Sequence, residues 1–212
     1  MRMTVNRPLS RRLLALALGA LLLSACASDK PAGNTLYDFG SAAPTAPAPA
    51  SATVPALVVT DATGSAALDN ERMVYRLDYA DPLQARSYAN SRWSATPLQM
   101  ITQRFKVRIA QAGTKVLSST DASNGVPILR VEVDDFTHGF DSLTRSQGRL
   151  VLRASLFQGH QLIDQKTFSR NTDAVTADAA GGARALAAST DAVAADIVAW
   201  LGSLSIPSVT QR

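Results

Sequence analysis

The feature that most constrains the fold is a set of neighbouring segments in which apolar and polar residues alternate. Residues 127–136 and 149–157 follow this pattern, as in Leu129-Arg-Val-Glu-Val133, and a Gln-Gly-His turn leads into a third extended segment at 161–169. Alternation with a period of two predicts strands that bury one face and expose the other. Because the connections are short, we expect the three strands to form an antiparallel meander.

Other extended segments precede the meander. Residues 56–60 are a short apolar run, residues 73–79 alternate, and residues 115–118 form a further short candidate strand. The apolar and aromatic face of the alternating segment consists of Met73, Tyr75, Leu77 and Tyr79. We expect Asp81-Pro82 to end that strand, and we expect residues 137–146 to be a polar loop within the meander.

Two segments repeat apolar residues every three or four positions, which is the period of an amphipathic helix. Thr96 and Pro97 supply the N-cap and the first residue of one helix, and Gly113 suits its C-terminal cap. The second helix is Ala-rich and spans residues 182–204. The two apolar stripes are Leu98, Ile101, Phe105 and Ile109, and Leu186, Val193, Ile197, Trp200, Leu201 and Leu204. These elements predict an α+β fold, with a mixed, mainly antiparallel sheet and two helices packed on one face.

Residues 1–25 have the properties of a secretory signal peptide. Four arginines and no acidic residue precede an apolar run at 13–23. As a helix this run is about 16 Å long, too short to cross a hydrocarbon core of about 30 Å. The whole chain has 21 basic and 17 acidic residues, so the chain beyond the four arginines has 17 of each. That neutral remainder has no basic stripe for nucleic acid.

The only cysteine of the chain, Cys26, directly follows this segment. The tetrapeptide Leu23-Ser24-Ala25-Cys26 resembles the bacterial lipobox, in which the cysteine thiol is diacylated and the signal is cut just before it. We therefore predict a covalent lipid on Cys26, which would hold the protein at a bilayer without a transmembrane helix. The alternative is an ordinary signal peptide followed by a buried, unmodified cysteine. A single cysteine also excludes a disulfide within the chain.

The rest of the chain divides by composition into a tether at 26–55, an α+β periplasmic domain at 56–204 and a C-terminal tail at 205–212. The end of the tether, from residue 41, is rich in Pro and Ala and has no charged residue, so it cannot bury enough apolar surface to fold. Residues 36–39, Leu-Tyr-Asp-Phe, interrupt the tether and leave open a short strand that docks onto the domain.

The sequence does not indicate catalytic chemistry. His138 and His160 are the only histidines, and both fall in predicted turns, where we expect solvated side chains. A serine nucleophile needs a base and an orienting acid, and neither a Gly-x-Ser-x-Gly elbow nor a phosphate-binding loop is present. Two histidines and one cysteine are too few for a His/Cys metal site. We therefore expect no enzyme activity, no metal, and no cofactor apart from the lipid on Cys26.

Aromatic residues are concentrated between positions 75 and 93. This segment contains Tyr75, Tyr79, Tyr88 and Trp93. Aromatic residues are enriched at binding surfaces, so these four are candidate partner-binding residues. The alternative interpretation is a core wall and a hairpin, which we favour for Tyr75 and Tyr79. For Trp93, just before the helix cap, we favour a packing role.

A series of motifs follows Cys26 along most of the mature chain. These motifs are Leu36-Tyr-Asp-Phe-Gly40, Val74-Tyr-Arg-Leu77, Tyr88-Ala-Asn-Ser-Arg-Trp93 followed by Pro97-Leu98, Leu129-Arg-Val-Glu-Val-Asp-Asp-Phe136, and Trp200-Leu201 in the last helix. In their order and spacing the chain resembles the ABC-type transport auxiliary lipoprotein family, the PqiC-like lipoproteins associated with MCE and paraquat-inducible systems. The Pro/Ala-rich tether is longer than the entry typical of that family.

The resemblance implies a non-catalytic protein-docking component of an ABC/MCE-type lipid transport system. The implied partners are an MCE-domain protein, the ABC permease and ATPase, and the bilayer that holds the acyl anchor; a homo-oligomer is left open. Because Ala27 and not Asp follows Cys26, the resemblance implies the outer membrane, periplasmic face, over the inner membrane. The alternative function is another outer-membrane accessory lipoprotein, a partner in lipopolysaccharide assembly or of a cell-wall synthase.

Overall fold

The computed structural model describes residues 33–43, 54–121 and 125–205, and in these residues one nine-stranded sheet is accompanied by two α-helices. The helices are α1, Pro97–Gln111, and α2, Ala179–Ser203. The strands are β1 (Thr35–Tyr37), β2 (Ala56–Val59), β3 (Thr63–Gly64), β4 (Arg72–Leu77), β5 (Asp81–Trp93), β6 (Lys115–Leu117), β7 (Ile128–Phe140), β8 (Ser146–Gln158) and β9 (Gln161–Asp173).

The central strand of the sheet is β7. One of its edges pairs antiparallel with β8 along nearly its whole length, and β8 pairs antiparallel with β9. The other edge pairs in turn with the short parallel strands β2, β3 and β4. Strand β5 pairs antiparallel with β4 and carries the parallel β1 at its end. The predicted meander and the α+β class with a mixed sheet are confirmed.

Helix α1 begins and ends where the sequence predicts. The hydroxyl of Thr96 accepts a hydrogen bond from the Gln99 N–H at 3.3 Å, and the Gln99 side chain accepts one from the Thr96 N–H at 3.4 Å. This reciprocal capping box satisfies two of the amides that a helix start leaves free. Gly113 follows the helix with φ of 96°, a conformation that glycine adopts without steric cost. The predicted stripe of α1 is buried.

Helix α2 packs on β8 and β9 and covers the meander. Its residues Leu186, Val193 and Ile197 are at most 1% exposed. The helix comes close to the sheet because position 148 is glycine: a Cβ there would lie 2.5 Å from the backbone nitrogen of Leu186. Although α2 is long and apolar enough to cross a membrane, half of its apolar window is buried inside the domain. It is therefore a core helix of the domain.

The end of β7 predicted from the sequence is wrong. Residues 137–140 belong to the strand and are buried, so the predicted polar loop at 137–146 is wrong in its first four residues. The reason is a register shift between Val133 and Asp135. Before this bulge the odd-numbered side chains Leu129, Val131 and Val133 face the core, and after it the even-numbered ones do. The core-facing side of the strand is therefore continuous in the structure, although the alternation of apolar and polar residues along the sequence is interrupted at the bulge.

Strand β5 was also missed, because the expected end at Asp81-Pro82 is its beginning. Residues 81–87 are exposed on both faces, so no apolar alternation marks them. Pro82 is compatible with this strand because the 81–90 part of β5 pairs only with β4 among the described residues, which leaves its outer edge free. Together β4 and β5 form a long hairpin beside the covered part of the sheet.

Candidate interaction surface

Four ring side chains form a contiguous group where the β4–β5 hairpin meets β7, and we call them the aromatic cluster: Tyr75, Tyr88, His138 and Phe140. The ring centroids of Tyr75 and Tyr88 are 4.6 Å apart, and those of His138 and Phe140 are 4.5 Å apart. Tyr75 also meets the edge of Phe140 at 5.8 Å, and Tyr88 stacks on His138 at 6.2 Å. Such ring contacts contribute more stability than the burial of their apolar area alone. The cluster therefore fixes the hairpin to the sheet.

The imidazole of the cluster, His138, is buried and makes a side-chain hydrogen-bond contact. Its side chain is 0% exposed, and its Nδ1 lies 2.9 Å from the hydroxyl oxygen of Tyr88. The pKa of His138 is lowered to about 4, chiefly by burial; Asp178 opposes this shift and Arg149 adds to it. The imidazole is therefore neutral at pH 7. Burial likewise raises the pKa of the Tyr88 hydroxyl.

The prediction of a solvated loop histidine is wrong for His138. At the β7 bulge the core-facing positions change from odd-numbered to even-numbered residues, so the side chain of His138 faces the core. The sequence pattern does not reveal this change. His160 lies in the exposed β8–β9 turn, and there the prediction is confirmed.

Two consecutive glycines let the start of α2 pack against this cluster. A Cβ at Gly182 would lie 2.2 Å from Nδ1 of His138, and a Cβ at Gly181 would lie 1.9 Å from the carbonyl oxygen of Thr176. The Asp178 carboxylate caps the helix by accepting the N–H of Gly181 at 2.7 Å. The glycine pair, which the sequence shows without a phosphate-loop context, therefore serves close packing.

The structure does not bring the four predicted aromatic residues into one surface. Tyr75 and Tyr88 are half-buried in the cluster, while Tyr79 lies in the turn after β4 with 45% of its surface exposed. Trp93 is 1% exposed and packs against Phe39 and Phe136, with ring centroids 6.0 and 5.7 Å away. This placement favours the packing role for Trp93 and leaves Tyr79 as the accessible member of the set.

The segment before the Pro/Ala-rich tract packs on the domain. Strand β1 pairs with the end of β5, within the region where the sequence left a strand open. Arg104 donates to the carbonyl oxygens of Phe39 and Gly40, and Arg108 donates to that of Ala43 at 2.7 Å. Asp191 of α2 pairs with both arginines. Neither arginine belongs to the predicted apolar stripe of α1, so the sequence pattern did not reveal that Arg104, which is 5% exposed, holds this segment.

The sheet face opposite the helices carries ion pairs. Arg149 pairs with Asp78 of the hairpin, and Arg153 pairs with Glu132. The Arg149 guanidinium lies over Gly139, where a Cβ would be 1.8 Å from its terminal nitrogen. This pair ties β8 to the turn after β4, so the hairpin is held from both faces of the sheet.

Within residues 33–43, 54–121 and 125–205, no group of three or more His, Cys, Asp or Glu side chains could hold a metal ion. The predicted lipidation residue Cys26 and the lipobox residues Leu23, Ser24 and Ala25 lie outside the described residues. The fold and these contacts define the class: an α+β domain with a mixed sheet, in which the outer edge of residues 81–90 has no strand partner among the described residues.

The comparisons place this module in a family. The family model described as the ABC-type transport auxiliary lipoprotein component matches residues 37–198, and the chain belongs to this family. A search of curated proteins gives no match.

Two solved structures share the fold. The crystal structure of protein XCC0632 from Xanthomonas campestris is 19% identical, covers 78% of this chain and 93% of its own, and superposes with a TM-score of 0.68. The structure of an uncharacterized protein is 15% identical, covers 80% of this chain and 99% of its own, and has a TM-score of 0.64. Both show similarity of fold.

Proposed function

We propose that the protein is a lipid-anchored periplasmic auxiliary component of an ABC/MCE-type lipid transport system, which acts by docking partner proteins and not by catalysis. The observation that carries this proposal is the family match over residues 37–198. The lipobox Leu23-Ser24-Ala25-Cys26 supports the anchor, and Ala27 after the cysteine supports the outer membrane, periplasmic face, as its location. The energy for transport would come from the ATPase of the system.

Three features of the domain support a docking role. The β4–β5 hairpin extends beside the covered sheet with its strand β5 exposed. The outer edge of residues 81–90 has no strand partner among the described residues, and such an edge can pair with a strand of another protein. Tyr79 presents an exposed amphipathic ring in the turn after β4.

The anchor would work through the acyl chains and not through a spanning helix. One acyl chain holds only marginally, whereas two or three give stable attachment because each buried CH₂ contributes about 0.8 kcal/mol. We expect Cys26→Ala to leave the protein soluble or in its uncleaved precursor form. Membrane fractionation checks this, and an unchanged distribution of the variant would contradict the anchor.

The docking role is tested by crosslinking and pull-down of the full chain from intact envelopes. We expect recovery of an MCE-domain protein with its permease and ATPase. Recovery of a β-barrel assembly or a cell-wall synthase in their place would contradict the proposal and favour the alternative accessory role.

A surface variant sharpens this experiment. Tyr79→Ser removes an exposed ring that makes no contact in the aromatic cluster, so we expect weaker capture of the partner from detergent extracts. The matched control is Leu162→Ser, because Leu162 is 46% exposed and lies at the start of β9. Equal capture by both variants would remove Tyr79 from the docking surface. Tyr75 is less suitable for this test, because it packs against Tyr88 and Phe140.

A further inference from the structure

The three most exposed large apolar side chains of the described residues lie in or next to three different connections of the sheet. Leu83 near the start of β5 is 89% exposed, Leu143 in the β7–β8 turn is 79% exposed, and Val175 between β9 and α2 is 90% exposed. Single exposed apolar residues are ordinary on a protein surface. What needs a physical explanation is that these three residues lie in the same part of the fold.

The strand registers place these connections at one end of the sheet. Leu77 at the end of β4 pairs with Asp81 at the start of β5 and with Phe140 at the end of β7. Phe140 pairs with Ser146 at the start of β8, and the neighbouring residue of β8 pairs with Asp173 at the end of β9. Leu83, Leu143 and Val175 therefore form a row across the end of the sheet at which β4, β7 and β9 terminate. We call this end of the sheet the apolar end.

Strand β1 runs away from the same end of the sheet. Strand β1 is parallel to the last part of β5, with Thr35 opposite Ser91. Thr35, the first residue of β1, therefore lies on the side from which β5 arrives, which is the apolar end. Because residues 34–43 pack on the domain, the stretch of sequence between Cys26 and this packed segment is shorter than the predicted tether of residues 26–55.

The length of this connection is sufficient for the distance to be covered. The nine residues from Cys26 to Thr35 span at most about 30 Å when extended. The run from Asp81 to Arg92 along β5 lies opposite only Arg72–Leu77 of β4, because the pairing contains two register shifts. It therefore covers about 17 Å, the length of five residue steps of β4 at roughly 3.3 Å each. An acyl chain on Cys26 would therefore bring the bilayer surface within reach of the apolar end.

We propose that the apolar end is the bilayer-facing surface of the domain, and that Leu83, Leu143 and Val175 enter the interfacial region of the leaflet that holds the acyl chains. The inference rests on the proposed lipid anchor at Cys26. The contact is shallow, because Asp81 and Asp141 belong to the same connections and their carboxylates remain hydrated. Side chains at such a surface enter the boundary of headgroups and acyl chains by about 5–10 Å.

Such a contact orients the protein and does not recruit it. Three side chains on separate connections bury too little area to bind a membrane alone. Once the anchor holds the domain at the surface, the second contact becomes intramolecular and even a weak preference acts at a high effective concentration. The domain would then stand with its strands directed away from the membrane, and the opposite end, with the β8–β9 turn, would point into the periplasm.

The test places single reporter thiols at the two ends of the sheet. Because Cys26 is the only cysteine and would be acylated, Leu83→Cys, Leu143→Cys, Val175→Cys and the control Leu162→Cys each introduce the only free thiol. Leu162 is at the opposite end, beside the pair Gln158 and Gln161. The lipidated full-length variants, carrying an environment-sensitive fluorophore, are reconstituted into phosphatidylethanolamine–phosphatidylglycerol vesicles that contain a nitroxide-labelled lipid.

We expect a blue shift and several-fold stronger quenching at positions 83, 143 and 175 than at position 162. Vesicle flotation with equal quenching at all four positions would overturn the inference and leave the anchor standing. Loss of flotation would overturn the anchor, and the inference with it. If the labels at the apolar end are instead shielded from lipid and transfer energy between copies, the surface covers a second copy, which would also overturn the inference.

Discussion

The covered part of the sheet and the β4–β5 hairpin differ in how their shape is maintained. Under α2, the inward side chains Leu150, Leu152, Ala154 and Leu156 of β8 are all 0% exposed. In β5, residues 81–87 are all exposed, and the strand is held by pairing with β4 and by the aromatic cluster at its base. The covered part therefore supplies most of the stability, and the hairpin is free to provide a surface.

The largest expected effect is a cavity in the covered part. Leu152→Ala removes a fully buried side chain and should lower the free energy of unfolding by about 2–5 kcal/mol. The matched change in the hairpin, Leu83→Ala, should change it by less than about 0.5 kcal/mol, because that side chain is already in water. Chemical denaturation of both variants checks this, and equal losses would contradict the comparison.

The next effect is the pH dependence that His138 confers on the junction between the two regions. The pKa of His138 is about 4 in the folded protein and about 6.5 when unfolded, so the unfolded chain takes up a proton first as the pH falls. Stability is therefore complete above about pH 6.5 and is lost toward pH 4, by on the order of 3 kcal/mol. Unfolding free energies measured between pH 4 and 7 test this expectation.

Two variants isolate this contribution. His138→Asn does not titrate in this range and its amide can still bond to the Tyr88 hydroxyl, so its stability should depend less on pH. His160→Asn changes the exposed histidine and should keep the pH dependence of the parent. If the two variants show the same dependence, the neutral buried state of His138 is refuted.

A smaller effect is expected at the start of α2. Gly182→Ala would place its Cβ 2.2 Å from the His138 ring, which Tyr88 and Phe140 contact on other sides. The helix or the ring has to shift, at a cost of about 1–3 kcal/mol. Gly202→Ala, at an exposed position in the last turn of the same helix, should be neutral or slightly stabilising. Thermal unfolding distinguishes them, and a neutral Gly182→Ala would contradict the close packing.

The smallest effect on stability is expected for Tyr79→Ser. Its ring is outside the aromatic cluster, so the free energy of unfolding should change by less than about 0.5 kcal/mol. Denaturation of this variant alongside the parent checks the expectation. A loss as large as that of a core variant would mean that the turn after β4 is part of the covered region.

The two regions also differ in how well the sequence predicts them. The first two strands of the meander and both helices follow from periodicity, because each has one face in the core. Strand β9 buries only Phe168, and it was predicted from the turn that precedes it. The Thr96 cap and Gly113 are likewise local signals with a direct physical cause. Where burial alternates regularly, the sequence is sufficient.

The remaining features of the fold could not be predicted from the sequence, because they depend on tertiary contacts. The bulge in β7 changes which residues face the core, so His138 resembled a loop residue. Strand β5 buries neither face over residues 81–87 and so shows no pattern. Arg104 is buried by a segment that is more than 60 positions away in sequence, and its charge gave no hint of burial.

The central claim is that a lipid on the mature N-terminus, and not a reactive centre, makes this domain useful. The most direct measurement is mass spectrometry of the N-terminal peptide of the protein purified from membranes. The account predicts a peptide that begins at Cys26 and carries the mass of two or three acyl chains. A peptide that begins elsewhere, or an unmodified Cys26 in membrane-derived protein, would contradict it.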